Sequence, residues 1–247
     1  MNDFVKPPKK KTALNVGKLS LSAPNPQVKG VYATLKWDVF QNNPRVVVDT
    51  RDPNLLSKEY GFGRIQAALS SPDFFALLEL IKMAGTIDRE EKWKIECLGH
   101  DWVNGQKSPE ITPQASVWVG RDGEGQAFIS VVNEAKKGFP IIKFIFGTSD
   151  QRYTRFLNKD GSQMSKPQAS QLFARAYANL LGELMPNVLN THYYEMPPGQ
   201  FGGNRGGGYN RGGQGGGGGY QNRQQGGSDN SGSNSKNNDV LDDDIPF

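Results

Sequence analysis

The stretch SSPDFFALLELIKMAG, residues 70–85, decides how the chain divides. Ser70 is a natural N-cap, Pro72 falls in the first turn, and Asp73 takes the third helical position like a capping-box partner. Phe74, Leu77, Leu78 and Ile81 keep the i, i+3, i+4, i+7 spacing of one buried helical face, and Gly85 supplies a stop. A second stretch, SKPQASQLFARAYANLLGELMP at 165–186, starts the same way. Ser165, Pro167 and Gln168 stand where Ser70, Pro72 and Asp73 stand. Its expected apolar face is Phe173, Ala176, Tyr177, Leu180, Leu181 and Leu184, with Pro186 as its end.

Strand-like segments precede each helix. LNVGKLSLSA, GVYATLKWDVF and PRVVVDT lead to the first, and WKIECLG, ASVWVGR, QAFISVVN and PIIKFIFG lead to the second. Strands followed by one helix, twice over, predict an internal duplication of about 90 residues per unit. The fold class read from this order is α+β, with two tandem antiparallel sheet-plus-helix units at 15–88 and 91–186.

Hairpin arithmetic then assigns faces. A four-residue turn at QNNP pairs Phe40 with Arg45, Val39 with Val46, Trp37 with Val48 and Leu35 with Thr50. Because side chains alternate, Leu35, Trp37, Val39, Val46 and Val48 share a core face. Tyr32, Thr34, Lys36, Phe40, Arg45 and Arg51 collect on the other, diluted by Val47, Asp38 and Asp49. An even turn at DGEG puts Trp118, Ala127, Ile129 and Val131 in the second core. Val117, Val119, Arg121, Gln126, Phe128 and Ser130 then lie opposite, and an odd loop would swap the two sets. Lys143 joins the open-face residues. Exposed aromatics among cations suit unpaired bases, which stack on rings while Lys and Arg neutralise phosphates.

Composition bounds the rest. The chain has 247 residues and a net charge of +4. The stretch from Gly199 carries about −1, so the first 198 residues hold about +5, and a basic body trails an acid-tipped string. MNDFVKPPKKKTA opens the chain as a basic arm, assigned to 1–14, before a folded body at 15–198. From Gly199 to Asn238, Gly, Asn, Gln and Ser dominate, a composition that cannot offset the entropy of ordering. One cysteine, Cys97, makes no intramolecular disulfide, and His100 and His192 stand far apart, so no metal or other cofactor is expected. No apolar run approaches 18 residues, which predicts a cytoplasmic protein with no membrane partner. No phosphate loop, HExxH or nucleophile elbow is present, and GRDGEG sits inside a hairpin, so no enzyme activity is expected.

The ending DVLDDDIPF, 239–247, follows that glycine tract. It closely resembles the tip of bacterial single-stranded DNA-binding proteins. The resemblance implies a peptide that docks on replication, recombination and repair proteins, with Phe247 in an apolar pocket. Its carboxylate and Asp242, Asp243 and Asp244 would face basic residues, beside Ile245 and Pro246. The body is not similar to the bacterial OB-fold protein. NVGKLSLSA, NPRVVVDTRDP, GFGRIQAALSSPDFFALLELI and VGRDGEGQAFISV are similar to the positive-cofactor and Whirly type of single-stranded DNA-binding unit, four strands followed by a helix. The long loops expected at 100–115 and 148–163 depart from that pattern, and an OB-fold barrel with added helices is the alternative.

The function these readings imply is sequence-tolerant binding of single-stranded DNA by a phage-encoded protein, a homo-oligomer in the host cytoplasm. The alternatives are a transcription regulator at melted promoters, with transcription proteins as tail partners, and an RNA-binding protein, the latter from RGGG and NRGG in the tail.

Overall fold

In the computed structural model, which describes residues 12–15, 19–103, 106–147 and 155–193, four strands and a helix occur twice in succession. The first set is β1 (Leu21–Pro24), β2 (Tyr32–Phe40), β3 (Asn43–Asp49), β4 (Arg64–Ala68) and α1 (Ser71–Ala84). The second is β5 (Glu91–Val103), β6 (Gln106–Arg121), β7 (Ala127–Asn133), β8 (Phe144–Ile145) and α2 (Lys166–Thr191). Each set of strands forms its own four-stranded antiparallel sheet in sequence order. Strand β4 was not among the segments singled out by pattern. Its polar positions Arg64 and Gln66 alternate with buried Ile65 and Ala67 over only five residues. The linker at 199–238, the tip at 239–247 and residues 1–11 of the basic arm lie outside the described residues. Leu14, assigned to that arm, is buried in a short 3-10 turn, Ala13–Asn15.

Both helices start as their caps dictate. The Ser70 hydroxyl accepts from the Asp73 backbone N–H, and Phe74, Leu77, Leu78 and Ile81 are buried as spaced. Ser165 and Gln168 form a reciprocal capping box. The second helix departs from expectation in two ways. It passes through Pro186 and runs on to Thr191, with Met185 and Val188 buried on either side of the proline. A proline inside a helix costs about 3 kcal/mol. Burying two apolar side chains gains about 1.5–3 kcal/mol each, so burial wins. The buried stripe is Ala174, Ala178, Leu181, Met185 and Val188, whereas Ala176 and Leu180 are exposed. Its small members permit close approach: α1 and α2 pack on one another, with Gly182 against Leu78.

Buried residues of both sheets and both helices form one cluster. Trp37, 0% exposed, sits at its centre and meets Phe74 edge-on at 5.4 Å. Its Nε1–H donates to the Tyr177 hydroxyl at 2.8 Å, which itself donates to the Leu19 carbonyl at 2.6 Å. One polar chain thus ties β2, α2 and the start of the first sheet. Burial drives the Tyr177 phenol pKa far upward, so it stays a donor.

The long loop expected at 100–115 is instead a hairpin. Beyond Cys97, β5 and β6 pair only with each other, across irregularities at Cys97/Leu98 and His100/Trp102, and β7 joins β6 only from Ala115. Asp101 closes this arm by accepting from Thr112 at 3.2 Å and Gln114 at 2.8 Å, while Leu98 and Ile111 are exposed on it. Burial, with the Asp73 charge adding to it, pushes the Cys97 thiol up to about 11, so it is protonated and unreactive at neutral pH. In the other long loop, at 148–163, residues 155–163 fold as a turn closed by a Leu157–Gln163 bridge.

Candidate nucleic-acid interface

The first hairpin turns through two residues, not four. Gln41 and Asn42 both have left-handed φ, 48° and 67°, the type I′ signature, so Phe40 pairs with Asn43 and Trp37 with Val46. The register differs from the expected one by two residues, an even number, and the faces are therefore unchanged. Leu35, Trp37, Val46 and Val48 are buried beneath the sheet. Tyr32, Thr34, Lys36, Asp38, Phe40, Arg45, Val47 and Asp49 share the outer face with Arg64, Gln66 and Ala68 of β4.

The two ends of that face differ in availability. At one end, Arg45 is only 13% exposed; its guanidinium donates to Asp38 at 3.0 Å and to Gln66 at 3.0 Å, and lies 4.6 Å from the Phe40 ring centroid. A cation so placed is held by its own sheet. At the other end, Tyr32 is 56% exposed and Arg64 is exposed. Lys36 and Arg64 make no ion pair with a described residue, and Asp49 lies cross-strand from Arg64 without reaching it. Arg51, just past β3, is exposed with φ 52°. Arg45→Ala should therefore act chiefly on stability. Losing its charged hydrogen bonds should cost about 1–2 kcal/mol in urea unfolding, with the salt dependence of polynucleotide binding unaltered. A reduced salt slope at unchanged stability would return Arg45 to the phosphate contacts.

The second hairpin corrects the face assignment. Its loop is the odd one, Gly123–Glu124–Gly125, with Gly125 at φ 77°, the Asp122 amide donating to the Gln126 carbonyl and the Gly125 amide to the Asp122 carbonyl. Asp122 fixes this turn by accepting from the Glu124 and Gln126 amides at 3.1 and 2.8 Å. Val119 consequently pairs with Ile129 and Trp118 with Ser130. Val117 and Val119 are core, and Trp118, expected in the core, lies on the outer face with Phe128. Arg121 falls on the core side: its guanidinium donates to the Ile87 carbonyl, and its two terminal nitrogens donate to the Gln171 carboxamide oxygen, one at 2.6 Å and the other at 3.0 Å. It fastens α2 to the α1–β5 turn and is not on the open face. The glycine in the third loop position was the signal that identifies a three-residue hairpin.

This second outer face is also covered and neutralised. Phe128 keeps its expected side but is 6% exposed, with Lys143 Nζ 5.7 Å above its ring and 2.7 Å from Asp122. Burial tends to raise the Asp122 carboxyl, but the Lys143 hydrogen bond, two backbone amides and the Lys143 charge outweigh it and hold the pKa low. This contribution to stability is complete above the ordinary carboxylate range and is lost as pH falls through the lowered value. Lys94 bonds Glu96 at 2.6 Å, reaches Glu134 at 3.3 Å, and lies 5.6 Å from the Trp118 ring. Trp118 Nε1–H donates to Ser116, whose hydroxyl donates to Glu134 at 2.6 Å.

The site residues thus divide into an accessible group on the first sheet, Tyr32, Lys36 and Arg51 with the unanticipated Arg64, and an internally satisfied group, Arg45, Arg121, Phe128 and Lys143. Phe40 is half-buried beneath Arg45. No group of acids, histidines or cysteines among the described residues could hold a metal ion, and no described helix is long and apolar enough to cross a membrane. No family model, no curated protein and no solved structure matches this chain.

Proposed function

We propose that this protein binds single-stranded DNA without sequence preference, in replication, recombination or repair, and recruits partner proteins through its acidic tip. The observation that carries the reading is the outer face of the first sheet, which exposed Tyr32 shares with Lys36 and Arg64, neither in an ion pair with a described residue. An aromatic and uncompensated cations on an open sheet match the stacking and phosphate needs of an unpaired strand. Two open four-stranded meanders, each followed by a helix, support a Whirly and positive-cofactor type of unit over an OB barrel, which would close five strands on themselves. The same reading carries a homo-oligomeric, phage-encoded protein in a bacterial cytoplasm that works without a cofactor.

Fluorescence anisotropy with an oligo-dT probe at two salt concentrations, against duplex DNA and oligo-rU, tests this. The wild-type chain should prefer oligo-dT to duplex, and Lys36→Ala should lower the salt slope by about one. Tighter binding to a promoter duplex would favour a transcription regulator, and tighter binding to oligo-rU an RNA-binding protein.

A further inference from the structure

The segment joining β3 to β4, residues 50–63, holds an exposed phenylalanine in an unfavourable backbone conformation on a firmly anchored base. Thr50 is fully buried; its hydroxyl and its backbone N–H both donate to the Gly63 carbonyl, at 2.8 and 3.0 Å. Asn25 donates to the Thr50 carbonyl at 3.0 Å. Buried Asp52 caps the 3-10 turn Pro53–Leu55 through the Asn54 amide at 2.9 Å. A Cβ on Gly63 would sit 2.9 Å from the Thr50 hydroxyl, and its φ is 73°, so both space and backbone require glycine there.

On this base Phe62 adopts φ 56° and ψ 36°, a left-handed conformation that a bulky residue rarely occupies, and yet it is 45% exposed. Its amide donates to Ser57 at 3.0 Å. The second half of the chain buttresses the segment: Lys136 Nζ donates to the Glu59 carbonyl, and Phe139 meets Tyr60 at 6.1 Å. Strain is retained where surroundings over-determine it and where function uses it. Core packing does not account for this ring, because nearly half of it faces solvent.

Its position in the sheet indicates a use. Thr34, Asp49 and Arg64 form the last row paired across β2, β3 and β4 on the outer face. Tyr32, Arg51 and Phe62 each lie two residues beyond that row, and all three are exposed. Lys58, Lys136 and Lys137 are exposed nearby in sequence or through the Lys136 contact, with Glu59 and Glu134 the exposed acids close to them in sequence among the described residues. None of these cations pairs with a described carboxylate. We infer that Phe62 and Tyr32 are base-stacking residues for a single-stranded polynucleotide leaving the first sheet at this end, with Arg51 and Arg64 on its phosphates. This rests on the single-strand reading and places its most accessible contacts away from Phe40 and Arg45.

The test uses the full chain and a fluorescent oligo-dT, with oligo-rU alongside. Phe62→Ala should weaken binding by about five- to a hundred-fold with an unchanged salt slope, as expected for loss of a stacked base. Phe62→Trp should restore it. Arg51→Ala should lower the salt slope by about one. Phe62→Gly relieves the left-handed strain, so it should unfold no earlier than wild type while binding as weakly as the alanine variant. That separation of stability from affinity is what a merely structural phenylalanine would not give. If wild type binds oligo-dT and Phe62→Ala binds it equally well, the stacking assignment is overturned while the single-strand reading stands. If wild type binds neither oligomer, the single-strand reading itself falls. Loss confined to oligo-rU assigns the ring to RNA.

Discussion

Trp37→Ala should destabilise the protein by about 3–5 kcal/mol, the range for truncating a fully buried large aromatic. The indole is 0% exposed, packs edge-on against Phe74, and gives its N–H to Tyr177. Truncation therefore opens a cavity between β2 and α1 and leaves a buried tyrosine without one of its two partners. Urea unfolding followed by circular dichroism measures the loss. Trp118→Ala is the control: that indole lies on the outer face of the second sheet, so its removal should cost much less. Iodide should quench Trp118 and spare Trp37 in the DNA-free protein. If iodide spares Trp118 as fully as Trp37, the second hairpin has the even register.

On the proposed function, deleting DDDIPF, 242–247, should abolish recruitment of replication proteins while leaving oligo-dT binding intact or tighter. The tract from 199 to 238 is expected to span about 35 Å as a coil, by the square-root scaling of glycine-rich chains. That reach allows the tip to engage a partner while the body stays on DNA, and equally to fold back on Lys36 and Arg64, where aspartates would mimic phosphates. Any tightening on deletion should shrink as salt screens the tail. Phe247→Ala separates the roles, because it removes the apolar anchor and keeps every aspartate. Pull-down with the full-length variant should lose the partner without relieving self-competition. Normal recruitment by Phe247→Ala would reduce the tip to an acidic solubilising end.

Local chemistry made much of this architecture legible. The Ser-x-Pro caps at Ser70 and Ser165 fix where both helices begin, because the hydroxyl of one residue and the amide three places on need no tertiary partner. Alternation in β2 and β3 names the buried face of the first sheet, and it survives a two-residue error in the turn because the side-chain period is also two. The same logic fails at the second hairpin, where one residue in the loop reverses every assignment and moves Arg121 to the core side and Trp118 out of it.

Sequence by itself therefore determined the order of elements apart from β4, the helix starts and the core of the first sheet. Only tertiary structure decided that α2 continues through Pro186, since the burial of Met185 and Val188 that offsets the proline is a long-range gain. It also decided which cations are paired. Arg45, Lys94 and Lys143 look like Lys36 and Arg64 in the sequence, but ion pairing depends on carboxylates brought alongside by strand register. And Phe62 has no pattern to mark it: the segment that carries it is anchored by hydrogen bonds among Asn25, Thr50 and Gly63, which form only once the sheet has closed.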